Sequence, residues 1–266
     1  MKSKYIFFYT FLLILSICPF FTTKPSSDQP EVFENEAYKI QFNNVNTIDK
    51  AIESIEKINS IENNKFDTVN YVFNSSEFVK RRFFHGQSSY YMCENWIAYL
   101  SGLLIWDHLS AIVEPEHILH YNKALCSQQS IVFMEILKRK GITTRWVGLG
   151  EKGKNGHFVN EVYYNCGWHL FDVNKEPDWN KVSVQHESAE YYKKNQAYLI
   201  KIYENKLDEQ TLINLISHIH YGEPNQFPAK NMLMFHRITK WITYILPVFL
   251  ASVLTFLLVK KSKKKS

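Results

Sequence analysis

The spacing of apolar and polar positions divides the chain into three kinds of segment. Its ends are continuous apolar runs. Tyr5 to Phe21, "YIFFYTFLLILSICPFF", follows Lys2 and Lys4, and Trp241 to Val259, "WITYILPVFLASVLTFLLV", carries no charge. The second run is about one bilayer core long as a helix. Behind the first end the pattern turns helical. Ile48, Ile52, Ile55 and Ile58 recur at helical spacing in "NTIDKAIESIEKI", and Val69, Val72, Phe73, Phe78, Val79 and Phe83 do so between Phe66 and Phe84. "SSYYMCENWIAYLSGLLIW" predicts a third helix, and "EPEHILHY" starts a fourth with Pro115 in its first turn.

The period then changes. Ser127 to Lys140 is helical, with Ile131, Val132, Ile136 and Leu137 on one face. Lys138, Arg139 and Lys140 suit the negative end of the helix dipole, and Gly141 suits a C-terminal cap. "ITTRWVGL", "HFVNEVYY" and "WHLFDV" read as three strands, the last two joined by a short turn near Asn165-Cys166-Gly167. After Pro177, "SAEYYKKNQAYLIKIYENKL" and "DEQTLINLISHIHY" are again helical and lead to the final span. Helices, then one helix into a small antiparallel sheet, then helices make an α+β pattern.

Composition adds scale. With 266 residues, 45% of them hydrophobic and 15% aromatic, the chain can bury a core of ordinary size. The net charge of +5 equals the contribution of Lys260, Lys261, Lys263, Lys264 and Lys265, so the rest of the chain is balanced and no nucleic-acid surface is implied. Those lysines, with Lys2 and Lys4, place both ends on the cytoplasmic side and the stretch between them in the periplasm or outside the cell. Residues 1–25, a basic start followed by an apolar run, read as a signal anchor or signal peptide, and the lack of an A-x-A-like site favours the anchor. Residues 26–36 form a polar linker with Pro30, and 37–236 a domain whose core is 115–180. A transmembrane helix at 241–259 and a basic tail at 260–266 follow.

Of the four cysteines, Cys18 lies in the apolar segment. Cys126 opens a helix, where unpaired N–H groups and the positive dipole end favour a thiolate. The same N–H groups stabilise the oxygen of a tetrahedral intermediate. Such a nucleophile needs a base, and the base an orienting partner. If Cys126 is a working thiol, Cys93 with Cys166 is the structural disulfide left. His157 opens one strand and Asp172 nearly closes the next. A turn at Tyr164-Asn165 puts them directly opposite; one at Asn165-Cys166 pairs Asp172 with Val159, diagonal to His157 on the same face. A three-residue loop without a bulge separates them.

Cys126 to Pro177 resembles the core of the transglutaminase-like superfamily, relatives of the papain-type cysteine peptidases. The likeness rests on "CSQQSIVFMEILKRKGITTRWVGL" followed by "HFVNEVYYNCGWHLFD": a cysteine opening a helix, Gly-Ile-x-x-Arg, His before Glu-Val, and Trp-x-x-x-Asp. It implies a helix bearing the cysteine packed on a small antiparallel sheet. It also implies Cys126 as nucleophile, His157 as general base and acid, and Asp172 as orienter. Ala124-Leu125 stand where the family often has glycine, and Val173 where it often has proline; neither touches a reacting group. Arg145 matches the family arginine and reads as structural, and Trp168 as packing beneath the hairpin. Gln128 and Gln129 read as exposed helix glutamines in preference to groups that polarise an acyl oxygen, and Trp96 and Trp106 are candidates for a second oxyanion donor.

His117 with His120, and His218 with His220, have spacings that metal sites use, but no cysteine or carboxylate cluster completes them. No metal and no cofactor are expected. The sequence points to a membrane-anchored thiol enzyme acting on a peptide, protein or other acyl or amide substrate outside the bilayer, through a thioester. Release is by water (peptidase or amidase) or by an amine (acyltransferase). A catalytically silent scaffold or binding module in a cell-surface assembly or export system is the competing class.

Overall fold

The structure is a computed structural model that describes residues 2–23, 37–62, 67–151, 153, 156–175 and 186–263. The linker expected at 26–36, Pro177 and the last lysines fall outside the described residues. In chain order come α1 (Lys2–Ile17), α2 (Ile48–Glu62), α3 (Thr68–Arg82), β1 (Phe84–His85), α4 (Met92–Leu104) and α5 (Pro115–Ile118). Then follow β2 (Lys123–Ala124), α6 (Cys126–Arg139), β3 (Thr144–Leu149), β4 (His157–Tyr164) and β5 (Gly167–Phe171). Last are α7 (Ala189–Lys194), α8 (Gln196–Ile202), α9 (Glu209–Ser217), β6 (Ile219–Tyr221) and α10 (Lys230–Ser262). The fold is α+β with an antiparallel sheet, and it is divided into two compact units.

The first unit combines Met1–Ser27, Ser89–Ile112 and Ala229–Ser266. Among the described residues it contains two helical segments long and apolar enough to cross a membrane, Lys4–Phe21 and Lys230–Ser262. Only 6% and 11% of their most apolar windows are buried, which distinguishes them from the core helices of a soluble domain. Phe7, Trp241, Val248, Phe249 and Phe256 all face outward.

The second unit, Asp28–Ser88 with Val113–Pro228, carries the sheet in the order β5-β4-β3-β6. Its central helix is α6, whose Ile131, Val132, Phe133, Ile136 and Leu137 are all buried. The helix stops in a Schellman motif: Gly141, at φ +70°, donates to the Lys138 carbonyl and Ile142 to that of Leu137, each at 3.0 Å. A residue with a Cβ is strained at that φ, so the glycine is what turns the chain into β3. In α2 the buried stripe is Ile48, Ala51 and Ile55, while Ile52 and Ile58 are half-buried. Asp67 caps α3 by accepting from the Val69 N–H at 3.0 Å. Opposite α6, the other face of the sheet presents Val147, Leu149, Val159 and Leu170 to a cluster with Tyr192, Ile202, Tyr203 and Ile216.

Three elements differ from the sequence reading. "DEQTLINLISHIHY" is not one helix: α9 ends at Ser217, and Ile219, His220 and Tyr221 pair with Leu149, Gly148 and Val147 as β6. An unpaired β3 edge leaves N–H and C=O groups without partners, and satisfying them outweighs the helical period of three residues. "SAEYYKKNQAYLIKIYENKL" is two helices broken at Asn195, whose side-chain amide donates to the Tyr191 carbonyl at 2.9 Å and so competes with the helix ladder. The helix begun at Pro115 lasts a single turn.

Candidate active site

Cys126 is the first residue of α6, after Leu125 in extended backbone. The orphan Leu125 N–H is taken by Oε1 of Gln128 at 3.1 Å. The same oxygen accepts from Ser88 N–H at 3.0 Å, and Nε2 donates to the Ser88 carbonyl at 2.8 Å. Gln129 donates to the Ala124 carbonyl at 3.0 Å. Both glutamines are buried, which corrects the expectation of exposed helix residues. Each satisfies backbone groups that the turn into α6 leaves open, and this requires burial.

The thiol of Cys126 faces His157 in a side-chain hydrogen bond and receives the backbone N–H of Phe158. Burial pushes the thiol up, but the His157 hydrogen bond and charge, with the Phe158 N–H, outweigh it and hold the pKa below the ordinary value. Nε2 of His157 lies 2.7 Å from Oδ2 of Asp172, which leaves Nδ1 as the ring nitrogen for sulfur. Burial draws the imidazole pKa down, but the Asp172 carboxylate and then the Cys126 sulfur raise it well above the usual range. Burial pushes the Asp172 carboxyl up, and the His157 charge and hydrogen bond overcome this and lower it. Together these shifts favour a thiolate–imidazolium pair.

Asp172 is fully buried and its oxygens are engaged on both sides. Tyr203 donates to Oδ2 at 2.9 Å, while the N–H groups of Asn174 and Lys175 reach Oδ1 at 3.2 and 2.9 Å. The hairpin sets the register: Tyr164 pairs with Gly167, so Asn165 and Cys166 form a two-residue loop. Both have positive φ, 47° and 63°, the requirement of a type I′ turn. Of the registers open to the sequence, this is the diagonal one. Gly156 brings His157 into line opposite Leu149, since a Cβ there would lie 2.7 Å from the Leu149 carbonyl oxygen.

The sequence reading missed two further side chains. Tyr203, at the end of α8, is separated from Asp172 by 31 positions and carries no local signal. His85 lies on β1, which pairs in parallel with β2 so that His85 stands beside Ala124, two residues before Cys126. Nδ2 of Asn174 is 3.1 Å from Nδ1 of His85. An amide donor there makes Nδ1 the acceptor and puts the proton on Nε2. Partial desolvation, then the charges of Lys175 and His157, lower the pKa of His85, so it remains a neutral donor beside a cationic His157. The signal available in the sequence was its position in "FFHG", at the end of an apolar run.

Arg145 lies away from the thiol. Its Nε and Nη2 reach one oxygen of the fully buried Glu161 across the β3–β4 ladder at 2.8 and 2.6 Å. Glu161 accepts on its other oxygen from the Ala189 N–H at 2.7 Å, and the guanidinium lies 4.2 Å from the rings of both Trp168 and Tyr221. Arg145→Ala leaves a buried carboxylate without its cation, at an expected cost of about 3–5 kcal/mol. Urea unfolding of the variant measures this, and an unchanged midpoint contradicts a structural role. Trp96 and Trp106 belong to the first unit. His117 pairs with Glu114 at 3.3 Å, and His220 lies on β6. Cys93 and Cys166 are free thiols in different units, not the disulfide considered from the sequence; Cys166 is committed to the exposed hairpin turn.

A helix-borne thiol, an imidazole and a carboxylate meeting over an antiparallel hairpin define the papain-like class of fold. Residues 85–173 match the family model of the Transglutaminase-like superfamily, a segment that opens on His85 and closes just after Asp172. The likeness read from Cys126 onward falls within this transglutaminase-like segment as far as residue 173. Among solved structures, "Crystal structure of a TGase" is 18% identical, with a TM-score of 0.32, and the match covers 64% of this chain. The chain spans 40% of that protein's length. No curated protein matches it.

Proposed function

We propose that this chain is a membrane-anchored thiol enzyme that acts on amide or other acyl bonds through a thioester on Cys126. The observation that carries the reading is the linked series of hydrogen bonds from Cys126 through His157 to the fully engaged, buried Asp172. A purely structural aspartate gains little from being held by four donors behind an imidazole that itself faces a depressed thiol. The Cys126 sulfur attacks the acyl carbon and forms the S–C bond. As the C–N bond breaks, His157 gives its proton to the departing amine. Water or a second amine then attacks the thioester, His157 takes its proton, and the C–S bond breaks to restore the thiolate.

The acyl oxygen is held by N–H groups at the start of α6 and by Nε2–H of His85. A neutral imidazole suits this role, because it donates without adding a second cation to the site. His85→Ala is expected to lower turnover by about 10²–10³-fold, the scale of one oxyanion donor. Alkylation of Cys126 by iodoacetamide, which passes through no oxyanion, should keep its rate. Equal losses in both assays would instead mean that His85 positions the thiol.

In this reading the apolar α1 and α10 anchor the chain, and the lysines outside them support an orientation with the catalytic domain on the outer face of the cytoplasmic membrane. Protease added to spheroplasts should therefore digest the sheet-bearing unit and spare an epitope on the lysine tail. A protected sheet unit would reverse the orientation and move the substrate into the cytoplasm. Trapping a covalent adduct on Cys126 with acyl donors drawn from cell-wall peptides, protein glutamines and surface polymers tests the chemistry. Should no donor label Cys126 while the folded chain alkylates normally, the scaffold reading gains.

A further inference from the structure

Between His85 and Cys126 the chain makes an excursion that the acyl chemistry does not use. Ser89 and Ala111 form a bridge, and Tyr90 N–H donates to the Ser110 carbonyl at 2.9 Å, closing the excursion at its base. From Asn95 to Trp106, "NWIAYLSGLLIW", there is no charge. The far end is Leu103, Leu104, Ile105 and Trp106, consecutive in sequence and exposed by 69, 76, 77 and 54%. Four large apolar side chains in a row facing outward are unfavourable in water.

Several backbone N–H groups at this end are bonded within the excursion. Ile105 and Trp106 N–H both reach the Ser101 carbonyl, Leu109 that of Trp106, and Ser110 that of Asp107. Each such bond removes one polar group from contact with lipid. Gly102 lets the returning chain pass, since a Cβ there would lie 2.6 Å from Ser110. The excursion is tied to α10 by polar contacts made within their shared unit. Asn95, with helix-breaking φ −157° and ψ 79°, donates to Thr239 Oγ1 at 2.9 Å, and His236 Nε2 meets the Leu109 carbonyl at 2.9 Å. Beyond these, Trp96 and Leu100 line an apolar cavity of about 500 Å³ with Leu12, Leu15, Leu246 and Leu250 of the two long helices.

We infer that Ser89–Ile112 is a third bilayer-inserted element, a hairpin whose Leu103–Ile105 tip is solvated by lipid hydrocarbon. The occupant follows from continuity: the hairpin packs on α10 and on the Cys18–Phe21 turn that follows α1, and it shares an outward apolar surface with both long helices. Trp106, followed by Asp107 and His108, marks where the tip returns to the headgroup level. The inference rests on the bilayer reading of α1 and α10. It adds that the transglutaminase-like segment itself enters the membrane, between His85 and the thiol.

The test uses the full chain in phosphatidylcholine–phosphatidylglycerol vesicles, with Cys18, Cys93, Cys126 and Cys166 replaced by serine. A nitroxide is placed at Ile105→Cys, or in a second variant at Leu104→Cys. Reference labels go at Phe249→Cys on α10 and at the exposed Lys57→Cys on α2. Collisions with oxygen and with a water-soluble nickel chelate are then compared. Positions 104 and 105 are expected to match 249, open to oxygen and shielded from nickel. Nickel access at 104 and 105 equal to that at 57, with 249 shielded, overturns the insertion alone. Nickel access at 249 as well overturns the bilayer reading and the insertion with it.

Discussion

Cys126→Ala and His157→Ala should each reduce acyl transfer by about a millionfold, and the double variant should be no worse than either. The expectation follows from how the two side chains are joined. The thiol is held below its ordinary pKa by His157, and His157 is held above its own by Asp172 and by the thiol. Neither group has its working protonation state without the other, so removing one leaves little for the second removal to take away. Turnover of a trapped acyl donor, once one is identified, and complementation of a deletion strain both measure the effect. A Cys126→Ala chain that folds, reaches the membrane and complements fully would establish that the thiol is dispensable and leave a scaffold.

The parts legible in the sequence were those specified by neighbours along the chain. Gly141 announces the end of α6 because only a left-handed residue closes a Schellman motif. The hairpin could be narrowed to a few registers by counting, although the choice among them required the positive φ of Asn165 and Cys166. The parts that were not legible depend on partners far away in sequence. Strand β6 exists because β3 has an open edge, and its own three residues carry a helical period. Tyr203 reaches Asp172, and His85 stands beside Ala124, through a helix end and a two-residue strand whose patterns state nothing about Asp172 or Cys126. Gln128 and Gln129 looked solvent-facing because polar helix residues usually are. They are buried because the first turn of α6 exposes backbone groups that only long amides reach.

Asp172→Asn should retain the fold and lower turnover by about 10⁴-fold, because an amide holds the imidazole without stabilising its charge. The physical chain is directional. Asp172 raises the pKa of His157, so its neutral analogue lets that pKa fall. A His157 that is no longer cationic near neutrality stops lowering the Cys126 thiol, whose pKa then rises. In the wild-type chain, iodoacetamide labelling of Cys126 should therefore begin below the ordinary thiol range of about 8.5. In Asp172→Asn the same profile should move to higher pH. Tyr203→Phe removes one donor to Oδ2 and leaves the carboxylate and both Oδ1 contacts in place. Its profile should stay close to that of the wild-type chain and well short of that of Asp172→Asn, since the charge that acts on His157 remains. An Asp172→Asn chain that labels with the wild-type pH profile would separate the carboxylate from the thiol. The reading of Cys126, His157 and Asp172 as one acting unit would then fail at its third member, whatever the first two do.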